Sequence, residues 1–162
     1  MPRAYLAGFL ACGMLFCARP VWADSDKTLE TKFSKIHYAD ETQFSDFFWR
    51  ISGKRMELAE VFGLEANRVD ELVERVETLL DMHPSSLHFD IYLKAEYAGD
   101  DIAHYSTREK SITVAVSRVT DGVLAHEIAH AVMSEYFKTE PPERTQEILA
   151  QYVDQHLWSD AF

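Results

Sequence analysis

The stretch DGVLAHEIAHAVMSEYF, residues 121–137, decides how this chain is read. Leu124, Ala125, Ile128, Ala129, Val132 and Met133 make it apolar around most of its circumference, the pattern of a helix buried on several sides. Set into that run are His126, Glu127 and His130. Residues four apart on a helix stand one above the other, so the imidazoles at 126 and 130 can hold one ion from two corners. Glu127 lies about 100° round from His126 and about 60° from His130, so it borders the same face without needing to be a ligand. Two neutral imidazoles on a zinc ion, with a carboxylate beside the bound water, is the arrangement that metal-assisted hydrolysis requires. HExxH is short enough to arise by chance, and the competing reading is two packed histidines and a partly exposed glutamate on a core helix. The apolar setting of the motif, the β-branched strand leading into it and the acid-bearing helix after it weigh against chance.

Working upstream, SITVAVS (111–117) has the β-branched content of a strand, and Thr120 or Asp121 can cap the motif helix. IAHYS (102–106), with a turn around Thr107 to Lys110, pairs with it as a hairpin, and a further turn is expected at Gly99-Asp100-Asp101. In LHFDIYLK (87–94) Leu87, Phe89, Ile91 and Leu93 alternate with polar residues, the mark of a half-buried strand. Before it, Val69, Leu72, Val73, Val76, Leu79 and Leu80 form a helical stripe, with Asn67 as its expected cap and Pro84 as its stop. Phe44, Phe47, Phe48 and Ile51, then Met56, Leu58, Val61 and Phe62, give another helical pattern, broken near Ser52-Gly53 and stopped at Gly63. The polar segment from Asp24 to Glu41 reads as a loose arm or a short helix. Downstream, Pro141-Pro142 precedes a final helix over 143–158. Helices, then strands, then two helices predict an α+β fold.

A catalytic zinc usually has three protein ligands and one open position. The metzincin continuation would need Gly and His where the chain has Met133 and Tyr136, so the third ligand must be another downstream acid. Glu135, Glu140, Glu143 and Glu147 are the candidates. On the final helix Ile148, Leu149, Tyr152 and Val153 read as the apolar side, and Glu147, Gln151 and Asp154 as the opposite one.

HEIAH (126–130) followed by QEILAQYV (146–153) resembles the gluzincin pattern of thermolysin-related zinc metallopeptidases, in which a second helix supplies a ligand glutamate. The likeness spans about residues 87–158, its specific part being the two motif segments. It implies a zincin-like fold: N-terminal helices, a small, mainly antiparallel sheet with an edge strand, the HExxH helix and a second ligand-bearing helix. It further implies Zn²⁺ held by His126, His130 and Glu147, with Glu127 as general base. The acid that gluzincins often carry four residues past the ligand glutamate, hydrogen-bonded to a ligand histidine, is here Gln151, whose amide can accept from an imidazole but adds no charge. The resemblance makes SITVAVS the edge strand that holds an extended peptide substrate by main-chain pairing. The chain ends 15 residues after Glu147, so a transition-state donor is expected from within the domain, with Tyr105, Tyr136, Tyr152 and His156 available. The whole is similar to the small peptidase-MA-like domains.

The 162 residues carry 16 basic and 27 acidic side chains. Residues 1–23 read as a signal peptide: Arg3, an apolar run from Ala4 to Ala18, then Val21-Trp22-Ala23 as a cleavage site. That leaves 24–162 as a metallopeptidase domain, exported to a periplasm or secreted, without stable membrane insertion once the signal is removed. Arg3 and Arg19 go with the signal, leaving 14 basic residues against 27 acidic ones, a net of −13. Such a charge repels nucleic acid and anionic membranes. Both cysteines, Cys12 and Cys17, lie in the signal, so no disulfide is expected after export; lipidation at Cys12 is a minor alternative. The expected activity is zinc-dependent peptide-bond hydrolysis on a peptide or protein substrate. The alternative is a zincin-like metal-binding protein with little or no turnover, acting as a binding or structural module.

Overall fold

A computed structural model describes residues 27–52, 65–96 and 101–159. Residues 1–23, read as a signal peptide, the apolar positions from Met56 to Phe62 with Gly53 and Gly63, and the turn residues Gly99-Asp100 lie outside the described residues. The elements run β1 (Lys27–Glu30), β2 (Ser34–Tyr38), α1 (Glu41–Ile51), α2 (Glu65–Leu80), β3 (Phe89–Lys94), β4 (Ala103–Ser106), β5 (Ser111–Ala115), α3 (Asp121–Tyr136) and α4 (Glu143–His156). The fold is α+β, with four helices and one five-stranded mixed sheet among the described residues.

The polar segment expected to be an arm or a short helix is instead the hairpin β1–β2. Its turn is held from outside the hairpin: Asp70 of α2 accepts the amides of Lys32 (3.1 Å) and Phe33 (3.3 Å). Strands therefore precede the helices as well as follow them. The strand order is β1-β2-β3-β5-β4. β3 runs parallel to both β2 and β5, while β1–β2 and β4–β5 are antiparallel. The sheet is thus evenly mixed, not mainly antiparallel. The parallel pair β2–β3 needs a crossover, and α1 and α2 supply it. β5 is not the edge strand either: it lies between β3 and β4, with Ile112, Val114 and Ala115 fully buried. The edge next to the motif helix is β4.

Phe89, Ile91 and Leu93 turn one face of β3 into the core, as the period-two pattern predicts, and the helices cover that face. On the opposite face His37 meets Asp90 at 2.6 Å and stacks on Tyr92 at 4.4 Å. α1 starts at Asp40, whose side chain accepts the Gln43 amide at 2.9 Å, while Gln43 in turn accepts the Ala39 amide at 2.8 Å. α2 opens at Glu65, so Asn67 lies within its first turn and does not cap it. The helix stops before Pro84 by its own device. Asp81 takes a left-handed conformation (φ 52°), Met82 N–H donates to Glu77 C=O (3.0 Å) and Asp81 N–H to Thr78 C=O (3.3 Å). This is the Schellman pattern with Asp where Gly is usual. Asp81→Gly removes the left-handed penalty at the cost of extra unfolded-state freedom, so a net gain of about 0.5 kcal/mol is expected. Urea denaturation of the two proteins would register it as a higher midpoint at unchanged slope.

Candidate metal centre

α3 begins where Thr120 caps it, the hydroxyl accepting the Val123 amide at 3.3 Å. It is the hub of the helical layer, packing on α1, α2, α4, β4 and β5. That position explains why seven of its residues, from Leu124 to Met133, are buried. His126, Glu127 and His130 interrupt this surface where α3 faces α4 and β4. The connection through Pro141 and Pro142 turns the chain back, and Pro142 stands at the head of α4. Glu147, on the second turn of α4, then meets both histidines.

The geometry is convergent. Nε2 of His126 is 3.5 Å from Oε2 of Glu147, and Nε2 of His130 is 3.3 Å from Oε1. One ligand atom from each of the three residues falls within 4.8 Å of the others, the only such group of three or more among the described residues. These N···O separations exceed those of a direct charge-assisted hydrogen bond, about 2.7–2.9 Å. They run to different oxygens of Glu147, so each imidazole faces its own side of the carboxylate. The donor set, two imidazole nitrogens and a carboxylate oxygen, fits a zinc site that keeps a fourth position open. The residues therefore could hold a metal ion.

Behind His130 stands a residue the sequence reading passed over. Oε1 of Gln146 lies 3.4 Å from Nδ1 of His130, and Nε2 of Gln146 donates to the Pro141 carbonyl at 2.8 Å. The second bond fixes which way the amide faces, leaving its oxygen to receive the Nδ1 proton and Nε2 of His130 free to face Glu147. Gln151, expected in this role, is exposed and hydrogen-bonds neither histidine. The inward stripe of α4 is Gln146, Ala150, Val153 and Leu157, whereas Ile148 and Tyr152, read as apolar-side residues, are exposed. A glutamine heading a buried stripe was the available signal. Gln146→Ala is expected to weaken metal binding about 10- to 100-fold without abolishing it, measurable by competition with a chromophoric chelator.

Glu127 is not one of the three. Its Oε2 accepts the main-chain amide of Tyr105, on β4, at 2.7 Å. Burial pushes its carboxyl up from the usual carboxylate range; the Tyr105 amide and the His130 and His104 imidazoles pull it part of the way back, and Glu147 adds to the rise. A carboxylate shifted upward by burial is a better proton acceptor than a solvated one.

The other candidates are placed elsewhere. Glu135 pairs with Lys110, and Glu140 and Glu143 are exposed. Of the four possible transition-state donors, Tyr105 is buried. Tyr136 is exposed and packs edge-on to Phe137. Tyr152 stacks on His156, whose Nδ1 donates to the Tyr152 carbonyl. No protein-family model, curated protein or solved structure matches the chain.

Proposed function

We propose that the protein is an exported zinc metallopeptidase of the gluzincin type. The observation that carries this reading is the meeting of His126, His130 and Glu147 around one point, with Glu127 beside them but not among them. A purely structural site closes its fourth position with another ligand, whereas three ligands and a neighbouring base leave room for water. Zinc bound there would acidify that water and polarise the scissile carbonyl. The protein's own part is the proton transfer. Oε2 of Glu127 is committed to the Tyr105 amide, so Oε1 takes a proton from the attacking water and passes it to the departing amine. The edge that would hold an extended peptide is β4 in place of β5. Among the described residues no helix is long and apolar enough to cross a membrane.

Two observations favour the second reading, a metal-binding module without turnover. Tyr136, Tyr152 and His156 make their contacts outside the centre, and the group behind His130 is a neutral amide. Metal analysis of the purified protein, alongside digestion of a peptide library by wild type and Glu127→Gln, separates the two. Zinc with cleavage supports the peptidase, and zinc without cleavage of any peptide supports the module.

A further inference from the structure

The general base is held by a main-chain group whose direction follows from the sheet register. Ile102 C=O accepts from Ala115 N–H at 2.8 Å, which places those two residues in a hydrogen-bonded pair. In an antiparallel ladder the two kinds of pair alternate, so His104–Thr113 and Ser106–Ser111 are hydrogen-bonded pairs and Tyr105–Ile112 is not. The N–H of Tyr105 therefore points away from β5, off the free edge of the sheet. An outward amide on an edge strand ordinarily faces water. Here it meets Oε2 of Glu127 at 2.7 Å, within the charge-assisted range.

The hairpin that carries this amide is tied to α3 at a second point, where Lys110, at the end of the turn, forms an ion pair with Glu135. Glu127 and Glu135 are about two turns apart along α3.

We infer that the main-chain amide of Tyr105 is the positioning group for the general base, fixing one oxygen of Glu127 so that the other faces the water. The inference rests on the hydrolytic reading above. Because the amide lies outside the β4–β5 ladder, it can be removed without deleting a ladder hydrogen bond.

The test replaces Tyr105 by its α-hydroxy acid analogue through nonsense suppression, turning the amide into an ester and keeping the side chain. Zinc content is expected to stay at the wild-type level, KM to remain within about threefold, and kcat to fall roughly tenfold or more. A second measurement needs no catalysis. Hydrogen exchange at the Tyr105 amide should be about tenfold or more faster in Glu127→Ala than in wild type, and stay slow in Glu127→Gln, whose amide oxygen can still accept. An ester variant with wild-type kcat, or equal exchange in wild type and Glu127→Ala, overturns the positioning role and leaves the peptidase reading standing. A wild-type protein that cleaves no peptide overturns the hydrolytic reading, and the positioning role with it.

Discussion

Glu127→Gln is expected to keep its metal, melt no lower than wild type and lose hydrolysis by about 10²- to 10⁴-fold, the range a positioned general base supplies. The three outcomes have separate physical origins. Metal content is expected to stay unchanged because the group that could hold an ion is His126, His130 and Glu147, and position 127 is not in it. Stability is kept because a glutamine oxygen can accept the Tyr105 amide as Oε2 does now, and a neutral amide avoids the desolvation that burdens the half-buried carboxylate. Activity falls because an amide oxygen is a far weaker proton acceptor than a carboxylate held above its ordinary pKa by burial. Metal analysis, thermal melts and peptide cleavage on paired samples measure each arm. Cleavage at the wild-type rate would rule out Glu127 as the base.

What could be read from the sequence follows from where the physical signal lies. The helix pair His126/His130 is visible because the 3.6-residue period alone puts them on one face, and α2 is visible because six apolar residues repeat along one stripe. Glu147 was one acid among four on chemical grounds, and only the resemblance singled it out; the fold then brings it to the histidines. β1 and β2 escaped because they are only four and five residues long and, of the two buried positions Ser34 and Ile36, only Ile36 is apolar, too little to reveal a period. The edge strand, which the resemblance put at SITVAVS, was misplaced for a different reason. An inward face shows in one strand's pattern, but its neighbours do not. A hint was present all the same: SITVA is buried at four of its five positions, and Ile112, Val114, Ala115 and Val116 leave little polar alternation, which suits a strand covered on both sides better than an edge. Gln146 was hidden because Ile148 and Tyr152 suggested the wrong inward face for α4. The Tyr105 amide could not have been found at all, since every residue type but proline carries the same donor.

Removing the metal or its ligands should produce the second large effect. An ion that binds only the folded chain stabilises it by mass action, about 2.7 kcal/mol at a hundredfold excess over Kd, which for a domain of this size raises Tm by roughly 10 °C. The melt of wild type in zinc is therefore expected to lie that far above its melt in a chelator. His126→Ala, His130→Ala and Glu147→Ala should each abolish most of the difference, because two remaining donors hold zinc far more weakly than three. Their melts in chelator need not fall, since without the ion Glu147 only approaches the imidazoles at 3.3 and 3.5 Å and is itself 46% exposed, so the pairing contributes little. Glu143 and Asp154 serve as controls on the same helix: both are exposed and outside the convergent group, so their alanine variants should keep the full zinc-dependent rise. The pattern discriminates sharply. A rise that survived Glu147→Ala but vanished in Glu143→Ala or Asp154→Ala would move the third ligand to that acid and mean that α4 sits in another register against α3. A rise that survived all three ligand variants would place the bound zinc elsewhere on this acidic protein, and His126 and His130 would then be packing residues of a core helix.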